Sequence, residues 1–288
     1  RLSISDIAVI GIWGLPIVIG CIIIGLSATL LLNRILNLPA RLGILIAIGT
    51  SICGASAIVA SSATIEATDE EVTYAIANIT IFGIAAMLFY PYLANVIFTG
   101  DVIRTGLFIG TSIHETAQVA AAGLIFDQSF DISSSPTAAD VAVIAKLVRN
   151  VMMVIVIPTM AFVYMRSTVQ IRGSSTPKAP RILDLIPMFI FGFLLMSIIR
   201  SLGDTHLTNH GLALGIWTPE SWGKAIAQVK DISGYVLASA MASVGLGTSF
   251  RSIRNIGPKP LAVGLAASAA VGMTSVTLIV TLGHLVHF

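Results

Sequence analysis

The residues best suited to chemistry in this sequence are ionisable side chains set among apolar neighbours. His114 and Glu115 are adjacent, inside the stretch IGTSIHETAQVAA at 109–121. Lys146 and Arg149 are three residues apart, which places both on one face of a helix. A carboxylate, an imidazole and two cations of this kind could bind a charged solute or carry a proton.

The beginning of that stretch occurs a second time in the chain. Residues 48–60 read IGTSICGASAIVA, and both copies start with IGTSI. Gly49 and Gly54 in this copy allow the backbone to leave helical geometry. Backbone without helical hydrogen bonds is tolerated at membrane depth only where protein or water satisfies it. We therefore predict that both stretches are partly unwound and line a polar site.

Candidate substrate-binding residues lie in these two stretches or on the helix that carries the cations. Glu115 is the candidate charge partner or proton carrier, and His114 is the candidate hydrogen-bond donor to substrate. Lys146 and Arg149 should face Glu115 or a bound anion, which leaves a surplus positive charge unless backbone carbonyls satisfy one of them. The alternative is structural, because small polar residues also pack helices closely in membranes. The full set is Thr50, Ser51, Cys53, Gly54, Thr111, Ser112, His114, Glu115, Gln118, Lys146 and Arg149.

Composition fixes the class of protein that must position these residues. The chain has 288 residues, of which 56% are hydrophobic and 10% charged, with a mean hydropathy of +0.94. Soluble domains carry about 25% charged residues, so the chain is predicted to be a membrane protein. A net charge of +2 without a basic cluster argues against nucleic acid as a partner. Cys21 and Cys53 lie in apolar runs, which supports neither a disulfide framework nor a cysteine zinc site.

Apolar runs long enough to cross a bilayer predict an all-α polytopic protein with eight transmembrane helices. A bilayer core about 30 Å thick requires roughly 20 apolar residues per helix. The short connections predict one transmembrane domain over 1–288. The predicted spans are 6–32, 43–65, 72–98, 107–126, 138–165, 183–203, 224–249 and 261–287.

The loops between these spans predict their orientation. The second, fourth and sixth loops contain no Lys or Arg, whereas the odd-numbered loops contain all of the loop cations. This alternation follows the positive-inside rule, so odd loops should be cytoplasmic and both ends of the chain outside. The cations of the odd loops are Arg34, Arg41, Arg104, Arg166, Arg172, Lys178, Arg181, Arg251, Arg254 and Lys259.

An inverted repeat would pair segments separated by an odd number of spans. Spans 6–32 and 183–203 each carry a proline in their first half, and the same offset pairs 43–65 with 224–249, which are both rich in small residues. Paired discontinuous helices are a sequence indicator of a carrier's binding site at the membrane midplane. We therefore predict that 6–98 is the remainder of a first repeat and that 107–288 is the second.

Six strings of the sequence can be compared with a known family: GTSICGASAI (49–58), DEEVTYAIA (69–77), LFYPYLA (88–94), GTSIHETAQVAAAG (110–123), KLVRNVMM (146–153) and ASAMASVGLGTSFRSI (238–253). Together they resemble the YeiH family of bacterial inner-membrane proteins, also called UPF0324 and often labelled sulfate exporters. The resemblance implies a relative of bile acid, arsenite and riboflavin carriers, with inverted repeats and two crossing broken helices, here 43–65 and 224–249. It also implies about three further helices before Arg1, so the chain is expected to be a C-terminal fragment.

The leading functional hypothesis is a secondary transporter of a small anion such as sulfate or a sulfonate. It would work by alternating access in the inner membrane, with the bilayer and the anion as partners, no cofactor or metal, and H⁺ or Na⁺ as the coupling ion. A passive anion channel is the alternative. An intramembrane hydrolase is disfavoured, because Gln118 replaces the second histidine of an HExxH zinc motif. We therefore do not expect an enzyme.

Overall fold

The computed structural model describes residues 4–62, 64–132, 136–172, 188–247 and 258–283. These ranges are helical with short connections, and their only β-type pairing is an isolated bridge between Ala213 and Trp217. The all-α prediction is confirmed for this part of the chain. The helices are α1 Ile4–Ile35, α2 Ala40–Ser51, α3 Ala55–Ser62, α4 Asp69–Phe98, α5 Val102–Ser112, α6 Thr116–Ser129, α7 Ala138–Val151, α8 Met153–Arg172, α9 Met188–His210, α10 Pro219–Gly247 and α11 Pro258–Leu282.

Each predicted span overlaps one helix or one pair of consecutive helices. Among the described residues, three helices are long and apolar enough to cross a membrane: Gly11–Ile35 within α1, Asp69–Phe98 and Pro258–Leu282. Helix α7 and the first part of α8 form a fourth candidate, bent by 42° at the break between them. This bend is not predicted from the sequence. Pro158, one turn into α8, weakens the helix there because it cannot donate a backbone hydrogen bond.

The predicted interruption of span 43–65 is present. Helix α2 ends at Ser51 and α3 begins at Ala55. Gly54 lies in the break with φ of 72°, a left-handed conformation that glycine adopts without strain. A Cβ atom at this position would also lie 2.6 Å from Cγ of Glu115, so the site excludes larger residues. The glycine therefore allows the chain to turn and brings the two breaks into contact.

The span at 107–126 is interrupted at the matching point. Helix α5 ends at Ser112 and α6 begins at Thr116. In both copies the Gly-Thr-Ser triplet is still helical, and the unwound residues follow it. The prediction of two partly unwound stretches is thus confirmed, with each break displaced toward the end of its motif.

The expected interruption of span 224–249 is not found in its described part. Helix α10 runs continuously from Pro219 to Gly247, and residues 248–249 lie outside the described ranges. Glycine within a helix costs about 1 kcal/mol but keeps its backbone hydrogen bonds, so Gly245 and Gly247 need not break it. In the described chain, the break that contacts the one at 52–54 is therefore at 113–115. The residues at 183–187, including Pro187, also lie outside the description.

Helix α7 packs tightly against α5 and α6, which places its cations beside both breaks. A Cβ on Gly110 of α5 would lie 2.7 Å from Cβ of Ala145, so a larger residue there would force the helices apart. The start of α7 is fixed by Asp127 at the end of α6, whose carboxylate accepts from the amides of Ala138 at 2.9 Å and Ala139 at 3.1 Å. Thr137 and Asp140 add a capping box.

Candidate functional site

Lys146 lies at the centre of the two breaks and is fully buried. Its ammonium group donates to the carbonyl oxygens of Ile52 at 2.6 Å and Ile113 at 3.0 Å, and to that of His114. An ammonium group has three N–H donors, so all three are used. The carbonyls come from both breaks, which Lys146 therefore links.

Arg149 repeats this arrangement one helical turn further along α7 and is also fully buried. Its Nε donates to the carbonyl of Ser51 at 2.7 Å, and its Nη2 donates to that of Thr50. Its Nη1 donates to the carbonyls of Thr111 at 2.8 Å and Ile113 at 3.3 Å. The guanidinium thus spans the ends of α2 and α5.

These contacts satisfy the carbonyls that a helix end leaves unpaired. The last turn of an α-helix exposes four C=O groups and carries about half a negative charge. Neither Lys146 nor Arg149 forms an ion pair with a carboxylate in the described part of the chain. The sequence predicts Glu115 or a bound anion as their partner, with backbone carbonyls as the alternative for one of the two cations. The structure places both cations on carbonyls.

Glu115 lies instead on the other side of the two breaks, where α3 and α6 begin. This side is called the amide side below, and the side of the Lys146 and Arg149 contacts is called the carbonyl side. Its carboxylate accepts a long hydrogen bond of 3.4 Å from the amide of Ala55, the first residue of α3. Glu115 is also the residue before α6, and its side chain makes no capping bond to α6 among the described residues. Glu115 and Thr116 are half-buried and Ser56 is exposed, so side chains on the amide side are less buried than those on the carbonyl side.

Helix α11 supplies two hydroxyl partners that the sequence analysis missed. His114 Nε2 lies 2.7 Å from Ser268 Oγ, and Thr111 Oγ1 lies 2.7 Å from Ser275 Oγ. Ser268 and Ser275 are seven residues apart on the buried face of α11, together with Gly264. This stripe of small residues is visible in the sequence, but its spacing does not reveal which side chains it faces.

The remaining candidates also lie around the breaks. Thr50 Oγ1 and Ser51 Oγ are buried without a hydrogen-bond partner among the described residues. Ser112 Oγ donates to a carbonyl of its own helix, as serine often does in membranes. Gln118 Nε2 lies 3.4 Å from the carbonyl of Thr80. Cys53 Sγ lies 3.8 Å from the sulfur of Met153.

Comparison with known protein families identifies the chain. A family model described as "Conserved hypothetical protein 698" matches residues 1–264. The chain belongs to the YeiH (UPF0324) family. The family resemblance stated from the motifs is confirmed.

The curated relatives are named UPF0324 membrane proteins. One from Bacillus anthracis is 34% identical over 286 residues, which cover 99% of this chain and 75% of the relative. One from Fusobacterium nucleatum is 30% identical over 290 residues, covering 98% of this chain and 78% of the relative. A third, from Streptococcus agalactiae, is 29% identical and covers 98% and 77%. No solved structure matches the chain significantly.

The charges around the breaks of this UPF0324 chain leave an excess of positive charge. The C-termini of α2 and α5 carry about half a negative charge each and the N-termini of α3 and α6 about half a positive charge each, so these four ends cancel. Among the described residues, Lys146 and Arg149 then have a single carboxylate nearby, that of Glu115. The surplus of about one positive charge favours a negatively charged ligand at the helix N-termini.

Proposed function

We propose that this UPF0324 protein is a multi-pass secondary carrier of small anions in the bacterial inner membrane, with sulfate or a sulfonate as substrate. The proposal assigns no chemical reaction and no cofactor to the chain. It places the anion at the start of α3 and α6, around Ala55, Ser56 and Thr116. Lys146 and Arg149 act from the other side of the breaks by holding them in place.

The observation that carries the proposal is the position of the Glu115 carboxylate on the N-terminus of α3. Helix N-termini offer unpaired amides and partial positive charge, which suit carboxylates and oxyanions. Glu115 is itself such an anion, held at 3.4 Å from the Ala55 amide. A substrate oxyanion can take its place on the same amides, since the contact is long and Glu115 is half-buried.

Access to this site is asymmetric. The side chains of Thr50, Ser51, Thr111 and Ser112 on the carbonyl side are buried, whereas Ser56 on the amide side is exposed. Broken helices that meet at mid-membrane supply binding sites in carriers that work by alternating access. We propose that this asymmetry reverses when the helices around the breaks rock against the rest of the chain.

Flux measurements on the purified protein in liposomes test this function. A carrier should exchange internal radioactive sulfate for external sulfate or methanesulfonate, with saturation as external anion rises. Potassium gluconate at equal ionic strength controls for nonspecific leakage. An unsaturable conductance would instead indicate a passive anion channel, and an absence of flux for every oxyanion and sulfonate tested would refute the proposal.

A further inference from the structure

Among the described residues, the hydrogen-bond partners of the Lys146 ammonium group are all backbone oxygens, which form a cage around it. Carbonyls of Ile52, Ile113 and His114 converge on the Nζ atom, and the whole side chain is buried. Nζ lies 2.6 Å from the carbonyl oxygen of Ile52 and 3.0 Å from that of Ile113, both within hydrogen-bond distance. The three oxygens come from two separate breaks, so the cage exists only because the two breaks are in contact.

A cage of this kind is suited to a small monovalent cation. Unwound carbonyls and the C-terminal ends of half-helices coordinate Na⁺ or H⁺ in broken-helix transporters. Here the ends of α2 and α5 add partial negative charge from both sides. We infer that the meeting point of the two breaks is a monovalent-cation site, and that Lys146 occupies it permanently as a tethered ammonium ion.

Arg149 binds the carbonyl oxygens next to those that Lys146 binds. Its guanidinium donates hydrogen bonds to the carbonyls of Thr50, Ser51 and Thr111. It also donates to the carbonyl of Ile113, which accepts from Lys146 as well. Six carbonyls at the two helix ends and breaks are therefore divided between two cations of the chain itself. A free metal cation would have to displace Lys146 or Arg149 to bind these oxygens.

This occupancy has a consequence for coupling, and that consequence rests on the proposed function. A carrier with a tethered cation here needs no Na⁺ at the breaks. Transport by the wild type should proceed equally in sodium and in choline salts. The cation site itself can be tested without transport, so its failure and the failure of the carrier function are separate results.

Chemical rescue of Lys146→Ala is the decisive experiment. The truncation removes three methylene groups and the ammonium, a volume that propylammonium can refill. Purified variant in detergent should unfold at a temperature about 5–10 °C below wild type. Propylammonium chloride should restore at least half of that loss, ammonium chloride part of it, and choline chloride at the same concentration none, because choline is too bulky for the cage.

Lys224→Ala is the matched control, since this lysine is exposed and bonds only Glu220 among described residues. Its unfolding temperature should not respond to propylammonium. Equal effects of propylammonium and choline on Lys146→Ala would overturn the inference, as would wild-type stability of that variant without added cation.

A second pair of variants decides the case if Lys146→Ala fails to accumulate. Lys146→Met keeps an unbranched side chain of similar length and removes the charge, whereas Lys146→Arg keeps the charge. The inference requires Lys146→Arg to accumulate in membranes at a higher level than Lys146→Met. Equal or greater accumulation of folded Lys146→Met would overturn it, because the cage would then not need a cation.

Discussion

Lys146 and Arg149 both donate to the carbonyl oxygen of Ile113, at 3.0 and 3.3 Å. A single backbone oxygen in one break thus connects the two cations, and each cation reaches across to the other break. Helices α2, α5 and α7 are consequently joined at one point by charge-assisted hydrogen bonds, which are about twice as strong as neutral ones.

Replacing Arg149 should therefore lower stability more than a typical surface mutation. Arg149→Gln leaves buried carbonyls of Thr50 and Ser51 unpaired, which we expect to cost about 3–5 kcal/mol. The unfolding temperature in detergent should fall by about 2–4 °C for each kcal/mol lost. Lys224→Gln is the control, because exposed ion pairs contribute at most about 1 kcal/mol. Similar unfolding temperatures for the two variants would contradict the capping role.

The turn at Gly54 should be sensitive to a single added methyl group. Gly54→Ala places Cβ at a φ of 72° and 2.6 Å from Cγ of Glu115. The left-handed conformation costs about 1–2 kcal/mol and the collision about 1–3 kcal/mol more. We expect lower thermal stability and weaker anion binding, measured by thermal unfolding and by sulfate titration.

Gly100→Ala separates these two effects. Gly100 has a similar φ of 81°, but a Cβ there would meet nothing within 4 Å. This variant should show the backbone cost alone and leave sulfate binding unchanged. If Gly54→Ala behaves like Gly100→Ala in both measurements, Glu115 does not constrain the turn.

Local features of the sequence were sufficient to predict the breaks but not their partners. The sequence at 49–58 contains a glycine and a polar string inside an apolar run. The structure has a break there, with Gly54 at a φ of 72°. The repeated GTSI string likewise predicted the break at 113–115. Each of these depends on a few consecutive residues.

The roles of the cations depend on distant contacts instead. Lys146 meets Ile52, which is 94 residues earlier in the chain, and no spacing rule reports such a contact. A carboxylate and a carbonyl are equally plausible partners for a lysine in the sequence alone. The interruption expected in span 224–249 is absent from its described part, because a glycine inside a helix can keep its backbone hydrogen bonds and the sequence does not distinguish it from a glycine that ends one.

The contact between His114 and Ser268 should contribute measurable coupling. Their 2.7 Å hydrogen bond joins the second break to α11, and both residues are buried. A double-mutant cycle of His114→Ala and Ser268→Ala should give a coupling of about 1 kcal/mol in unfolding free energy. Thr277→Ala, on the exposed side of α11, should show none when combined with His114→Ala. Equal coupling in both cycles would show that the hydrogen bond is not responsible.

Neutralising Glu115 should strengthen anion binding. Glu115→Gln keeps the shape of the side chain and removes the negative charge that competes for the α3 amides. Sulfate affinity at neutral pH should rise by about tenfold, which corresponds to 1.4 kcal/mol. Wild-type affinity should rise as the pH falls, because protonation of Glu115 removes the same charge, whereas the variant should show a flatter profile.

The control for this measurement is Glu220→Gln, which removes an exposed carboxylate at the start of α10. Its sulfate affinity and pH profile should match those of wild type. A Glu115→Gln variant that binds sulfate more weakly than wild type would show that the carboxylate supports the anion site rather than competing for it.

Cysteine labelling can locate the anion on one side of the breaks. In a background without Cys21 and Cys53, Ser56→Cys should react with a water-soluble maleimide, since Ser56 is exposed, and Ser51→Cys should not, since Ser51 is buried. Sulfate at ten times its Kd should slow labelling of Ser56→Cys about tenfold by mass action. Undiminished labelling under saturating sulfate, together with normal binding by the variant, would place the anion away from the start of α3.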